Sequence, residues 1–185
     1  DNALTGNLHG IRIQGAHDAT VRDNTITGRT GRQVDAGNGI YVWNAPGAVV
    51  EGNDIRYGRD GIFTNTSRKN IFRNNLFRDL RFAVHYMYTN DSEVSGNISI
   101  GNHLGFALMF SDRIKVTNNL SLRDRSHGMM LNYANNADVV GNLVLPKNLN
   151  KNSKASAIIV GHPMGAVKEQ SSMKKKKKLA EQGFV

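Results

Sequence analysis

The chain has 185 residues, no cysteine, 39% hydrophobic residues and a formal charge of +9. Without cysteine it has no disulfide framework and no thiolate metal site, and no apolar run approaches the ~18 residues of a membrane-spanning helix. The charge is unevenly placed: residues 1–145 hold 15 Lys and Arg against 13 Asp and Glu, whereas residues 146–185 hold nine Lys against Glu169 and Glu181.

In chain order, asparagine recurs at Asn2, Asn24, Asn53, Asn75, Asn97, Asn119 and Asn142, at intervals of 22, 29, 22, 22, 22 and 23 residues. A seven-residue excess within residues 29–37 and a single one near residues 124–126 account for the departures. A fixed period of this length marks a solenoid. Asn2 belongs to a coil whose earlier strands are missing, so a longer parent protein or a start further upstream is expected. No signal peptide is visible.

Each coil then repeats the same pattern. Fourteen residues before each Asn from Asn24 onward stands a small residue: Gly10, Gly39, Gly61, Ala83, Gly105 and Gly128. Next come Ile11, Ile40, Ile62, Val84, Phe106 and Met129, and two positions on, Ile13, Val42, Thr64, Tyr86, Leu108 and Leu131. Val21, Val50, Phe72, Val94, Val116 and Val139 form a third apolar column, and Ile26, Ile55, Phe77, Ser99, Ser121 and Val144 a fourth. In the two Ser coils, Ile98 or Leu120 precedes the serine, which allows the inward apolar group to shift by one. Apolar residues two apart predict strands, about three short ones per coil, separated by Gly, Asn, Asp and Ser turns.

The expected fold is therefore all-β. It is a single-stranded parallel β-helix of about six coils of ~22 residues, right-handed as parallel crossovers generally are. The Asn column reads as structural: the residue tolerates left-handed backbone, and its amide can bond to its copies above and below. The repeat fails past residue 145, where a further coil would need an Asn near 164 and the chain has Met164. Residues 1–145 are thus expected to form the β-helix. Residues 146–185, with a lysine run at 174–178, are expected to be a disordered, non-repetitive tail. Nucleic-acid binding is not expected of the repeat and would fall to that run.

Between the inward columns of the first strand lie two outward ones. They read Arg12, Tyr41, Phe63, His85, Ala107, Met130 and Gln14, Trp43, Asn65, Met87, Met109, Asn132. Solvated strand faces are normally polar. Tyr41, Trp43 and Phe63, with Tyr88, Phe110 and Tyr133 one position on, instead predict an exposed aromatic patch of the kind that binds partners. The register sets Met87 beside Met109, with His85 two residues from Met87 and Met130 one coil beyond Met109. Thioether and imidazole suit soft Cu(I) and exclude hard Ca²⁺. His85, Met87, Met109 and Met130 are thus the candidate metal or docking residues.

The patch strand offers no carboxylate cluster, so neither a Ca²⁺ site nor a general acid–base pair is expected, and the chain does not read as an enzyme. Acidic residues read instead as surface ion pairs: Asp91 with Arg113 and Glu93 with Lys115 across coils, and Asp60, Asp79 and Asp124 beside neighbouring arginines in turns. The alternative is a carbohydrate-binding or polysaccharide-cleaving β-helix stacking sugars on Trp43, Tyr41 and Phe63.

Residues 58–142 resemble the NosD family, most distinctively in RFAVHYMYTND, GNHLGFALMFS and HGMMLNYANN. That resemblance implies a periplasmic β-helix built of carbohydrate-binding/sugar-hydrolysis repeats. It also implies a role in maturing nitrous oxide reductase, alongside a membrane ABC transporter and a copper chaperone. The implied task is copper handling, with Cu(I) held transiently, and not catalysis in this subunit. Residues 146–185 do not resemble the continuation of that family.

Overall fold

A computed structural model of the protein describes residues 1–145. Apart from one 3-10 turn, Gln33–Asp35, every regular element is a strand of three to nine residues. The strands form three parallel sheets running the length of a solenoid. The first has six strands: Ile11–Gln14, Ile40–Trp43, Asp60–Asn65, Phe82–Met87, Leu104–Asp112 and His127–Asn135. The second, also six-stranded, begins with Thr20–Arg22 and ends with Asp138–Val140; the third has seven, from Ala3–Thr5 to Leu143–Leu145.

Pairing follows the sequence period. Tyr41 lies opposite Phe63, Phe63 opposite His85, His85 opposite Ala107 and Ala107 opposite Met130. The predicted inward columns fill one continuous core, including Ile40, Val42, Val50, Ile55, Ile62, Phe72, Phe77, Val84, Tyr86 and Leu108. Phe72 and Tyr86 meet edge to face at 5.4 Å, and the Tyr86 hydroxyl donates to the Glu93 carbonyl at 3.2 Å.

The asparagines form a buried file along the solenoid. Each side-chain amide donates to the Oδ1 of the Asn one coil on, at 2.9–3.1 Å from Asn2 through Asn142. The same Oδ1 also accepts the backbone N–H of the Asn one coil earlier, as Asn97 Oδ1 does from Asn75 at 3.0 Å. The spine asparagines are not themselves left-handed. That conformation falls on the residue before each: Asp23, Gly52, Asn74, Gly96, Asn118 and Gly141. The bend costs least where Gly, Asn or Asp stands, and the amide that follows locks it.

Two further expectations are corrected. Ser99 and Ser121 point inward, fully buried, and Ile98 is exposed, so the inward group does not shift in those coils. A one-residue slip would turn the whole strand over and break the Asn file on either side. The hydroxyls are satisfied instead: Ser99 and Ser121 donate to Asp124 Oδ2 at 2.7 and 2.6 Å, and Asn102 donates to Ser99 at 2.7 Å.

Ion pairs also differ from the turn-local reading, because the solenoid brings residues one coil apart within ~4.8 Å while sequence neighbours in a strand point to opposite faces. Asp91 does pair with Arg113 across coils, at 2.5 Å. Glu93 accepts from Ser95 (2.6 Å) and makes no ion pair with Lys115, although the two are in register. Arg78 reaches back to Asp54 at 2.5 Å, and Asp124 serves the two serines. Asp60 does not pair with Arg59 but with Arg81 and His85.

The small column is small for want of space. A Cβ on Gly61 would lie 2.4 Å from Phe77 Cδ1 and 2.5 Å from the Ala83 carbonyl oxygen. The lysine run and the rest of residues 146–185 lie outside the described residues.

Candidate functional site

The outward positions of the first sheet hold Tyr41, Trp43, Phe63, His85, Met87, Met109 and Met130, and Tyr88, Phe110 and Tyr133 each follow such a position by one residue. Met87 and Met109 are directly opposite each other on adjacent strands, with Asn65 and Asn132 beyond them. Each is partly buried. Adjacent parallel strands set their backbones ~4.8 Å apart, so two flexible thioethers can converge on one ion.

Tyr88, Phe110 and Tyr133 stand next to this pair, one per coil. Their rings stack, Tyr88 on Phe110 at 5.4 Å and Phe110 on Tyr133 at 5.2 Å, with interplanar angles of 22° and 10°. All three are exposed, Tyr133 by 72%. They also hold left-handed backbone, at φ of 53°, 47° and 50°, in a column where earlier coils have Gly15, Asn44 and Thr66. A bulky residue there is strained by roughly 1–2 kcal/mol relative to extended backbone. The left-handed backbone belongs to this column in all six coils, and the last three place exposed, stacked rings on it.

Tyr41 and Phe63 behave differently. They are partly buried and stack on each other at 5.3 Å, and Phe63 packs in turn on His85 at 4.8 Å. Trp43 is 38% exposed with the Arg12 guanidinium 6.0 Å from its ring centre.

His85 is separated from Met130 by Ala107, a fully buried residue one coil from each. Its ring is held from the other side. Nδ1 lies 3.0 Å from Asp60 Oδ2, and Arg81 donates to both oxygens of that carboxylate, at 2.7 and 2.5 Å. The Asp60 carboxylate at Nδ1 orients the ring, and an Arg81 guanidinium nitrogen lies 3.4 Å from the same atom. His85 Nε2 is buried and has no hydrogen-bond partner. Asp60 itself is 1% exposed. Burial pushes its carboxyl up, but hydrogen bonds from His85 and Arg81 and their charges outweigh it, and the group is held below the usual carboxylate range.

Sequence reasoning missed this cluster. The signal was available: Asp60 is in register with Phe82, which places Arg81 and His85 one coil above it.

The cluster floors a pocket of about 300 Å³, lined by Leu8, His9, Asn38, Arg59, Arg81 and His85 among others. Its opposite wall, Ala36 to Asn38, comes from the end of the seven-residue excess. His9 Nδ1 accepts the Asn38 backbone N–H at 3.0 Å and so pins the insertion to the coil before it. Burial, and after it the charge of Arg12, hold His9 below the ordinary imidazole range.

Among the described residues no three His, Asp or Glu side chains converge as a metal site, and no helix is long and apolar enough to cross a membrane. A metal on this face would be held by thioether and imidazole, a set that fits soft Cu(I).

Residues 27–162 match a family described as periplasmic copper-binding protein (NosD), so the match runs past the last described strand. A "Probable ABC transporter binding protein NosD" of Stutzerimonas stutzeri is 37% identical over 78% of this chain and 33% of its own length. The protein of that name from Pseudomonas aeruginosa is 35% identical over 86% of this chain and 37% of its own. The chain therefore spans about a third of the length of the curated relatives it matches. A solved structure, the Streptococcus pneumoniae surface protein and adhesin PfbA, aligns at 8% identity over 78% of this chain and 66% of that chain. Its TM-score of 0.25 is too low to bear on fold or function. With the family match covering most of its length, and with the parallel solenoid in place, the chain belongs to the NosD family.

Proposed function

We propose that this chain is part of a periplasmic accessory protein that handles copper for the maturation of nitrous oxide reductase, alongside a membrane ABC transporter and a copper chaperone. The family description supplies the periplasmic and copper-binding parts of this reading, and the relatives' printed name supplies the transporter. The observation that carries it is the pairing of Met87 with Met109 beside the stacked Tyr88, Phe110 and Tyr133. In this reading the two thioethers receive Cu(I), His85 and Met130 flank them, and the aromatic column docks the protein that delivers or accepts the ion. Copper is cargo here, taken and released, and the chain performs no catalysis.

The carbohydrate alternative is less favoured. Tyr41 and Phe63 spend ring faces on each other and on His85, which leaves Trp43 as the freest ring of that platform.

An anaerobic Cu(I) titration against a chromophoric competitor tests the ligand role. Met87→Ala/Met109→Ala should weaken Cu(I) binding at least about tenfold, ~1.4 kcal/mol. Unchanged affinity would remove these residues as ligands. Tyr88→Asn/Phe110→Asn tests docking separately. Asn44 holds the same left-handed backbone two coils before Tyr88, so the fold should persist while partner binding is lost.

A further inference from the structure

On the third sheet the apolar pattern turns inside out. Each strand there sends its middle residue inward and the residues on either side outward. In the early coils the outward pairs are polar: Thr25 and Thr27, then Asp54 and Arg56, in register. Further on they are aliphatic: Ile98 and Ile100, Leu120 and Leu122, Leu143 and Leu145, again in register. Leu76 and Arg78 mark the changeover, and Arg78 is tied back to Asp54. Inside two of the aliphatic coils stand the buried Ser99 and Ser121. The solenoid does not require aliphatic residues on this outer face, because the earlier coils pair in the same way with Thr, Asp and Arg there.

Ile98 lies in mid-solenoid and is still 38% exposed, and Leu143 is exposed by 45%. The other four are partly buried. Side by side the six form a flat aliphatic grid two columns wide, the kind of continuous apolar surface that marks an interaction site.

The edges of the grid are unequal. Two residues before each strand stand Gly96, Asn118 and Gly141, all uncharged. On the other edge Arg123 follows Leu122, and Arg125 comes two residues later. Both are exposed, and among the described residues neither guanidinium makes a hydrogen bond or salt bridge, although their backbones are tied to Leu145 and Asn102. The carboxylate between them, Asp124, is engaged by Ser99 and Ser121. Asp79, exposed on the same edge, stands two coils before Arg123.

Size and charge select the occupant. With Leu76 the grid spans four strands, about 14 Å along the solenoid and ~7 Å across. That is the footprint of one α-helix of about three turns, ~16 Å long and ~10 Å wide. A second copy of the chain would need ~800 Å² per side for a stable pair, more than this grid offers. Residues 146–185 bring nine Lys against Glu169 and Glu181, the wrong sign for Arg123 and Arg125. A lipid surface is met by apolar groups that sink ~5–10 Å into it, and short, partly buried side chains on a flat sheet do not reach that far.

We propose that this face docks an amphipathic helix of a partner protein, aliphatic along the contact and carrying carboxylates on one flank. The aliphatic residues bury against the grid, and the carboxylates meet Arg123 and Arg125. The surface is distinct from the one proposed to handle copper, since Met87 and Met109 belong to the first sheet.

The test titrates the full chain into a fluorescent, stapled helical peptide of about three turns, with leucines three and four residues apart and glutamates along one flank, and reads anisotropy. That peptide should bind saturably, and a counterpart with lysines in place of the glutamates should bind at least about tenfold more weakly. Ile98→Thr/Leu120→Thr introduces the residue that Thr25 already holds in the same column, so circular dichroism should be unchanged while binding falls at least about tenfold. Arg123→Gln/Arg125→Gln should bring the glutamate peptide down to the level of the lysine one. No binding, equal binding of the two peptides, or full retention by Ile98→Thr/Leu120→Thr would overturn the proposal. So would phosphatidylglycerol vesicles that bind the chain in place of the peptide, or a dimer in sedimentation velocity that the same variant dissolves.

Discussion

Replacing Asn97 with alanine examines whether the asparagine file holds the coils together or merely accompanies them. Asn97 is fully buried. Its Oδ1 accepts from the backbone and the side chain of Asn75, both at 3.0 Å; its Nδ2 donates to the Phe72 carbonyl at 2.8 Å and to Asn119 Oδ1 at 3.1 Å. Alanine removes all four bonds. The Asn75 amide still reaches the Val50 carbonyl, and Asn119 Oδ1 still accepts the backbone N–H of residue 97, so those two groups keep one partner each. The Asn75 backbone N–H keeps none of its side-chain partner. With net losses of ~1 kcal/mol for each of the four bonds and a further ~1–3 kcal/mol for an orphaned buried group, Asn97→Ala should cost about 5–7 kcal/mol. That is a large share of the ~5–15 kcal/mol typical of a folded domain. Urea unfolding followed by circular dichroism measures it through the midpoint at constant slope. Asn142→Ala is the internal control, because that residue is only partly buried and takes its place in the last described coil. Its cost should be about half. If Asn97→Ala costs under ~1 kcal/mol, or no more than Asn142→Ala, apolar packing alone sets the register and the reasoning fails.

Two other perturbations address space and charge. Gly61→Ala drives a methyl against Phe77 and the Ala83 carbonyl and should destabilise by about 1–3 kcal/mol, whereas Ala83→Gly, in the same column, should cost only ~1 kcal/mol; matching urea midpoints for the two would remove crowding as the cause. Asp60 is held below its ordinary pKa in the folded state, so its contribution is complete above the unfolded value of ~4 and is lost as pH falls through the folded one. Asp60→Asn should therefore cost about 2–3 kcal/mol at pH 7, and the gap to wild type should close on acidification below pH ~4. A gap that stays constant from pH 7 to 3 would show that Asp60 matters by shape and not by charge.

Almost all of the architecture was legible from the sequence, because a period of 22 converts directly into neighbours. Columns such as Tyr41, Phe63 and His85 need only the period to be assigned, and no knowledge of the turns. The parts that escaped follow one pattern. Chain proximity suggests neighbouring arginines for Asp60, Asp79 and Asp124, although the period that joins Asp91 to Arg113 also points Asp60 toward Arg81. Ser99 and Ser121 were hard to assign because hydrophobicity favoured Ile98 and Leu120, and the deciding partner, Asp124, arrives from a turn with an extra residue. Burial pushes that Asp124 carboxyl above its usual range, despite the hydrogen bonds from the two serines. The pocket was invisible for a further reason. Its wall includes the end of the seven-residue excess, and periodicity says nothing about where such a segment folds.

The amide file has a direction. From Asn2 to Asn119 each Nδ2 gives one hydrogen to the Oδ1 of the later coil, while from Asn53 onward Nδ2 also donates to a backbone carbonyl of the coil before. Aligned group dipoles add, as peptide dipoles do along a helix, and chained amides polarise one another. Along the described coils the spine carbonyls thus share one sense, each Oδ1 turned toward the Asn of the coil before. Repeating one neutral side chain gives these coils an axial sense that their apolar columns lack.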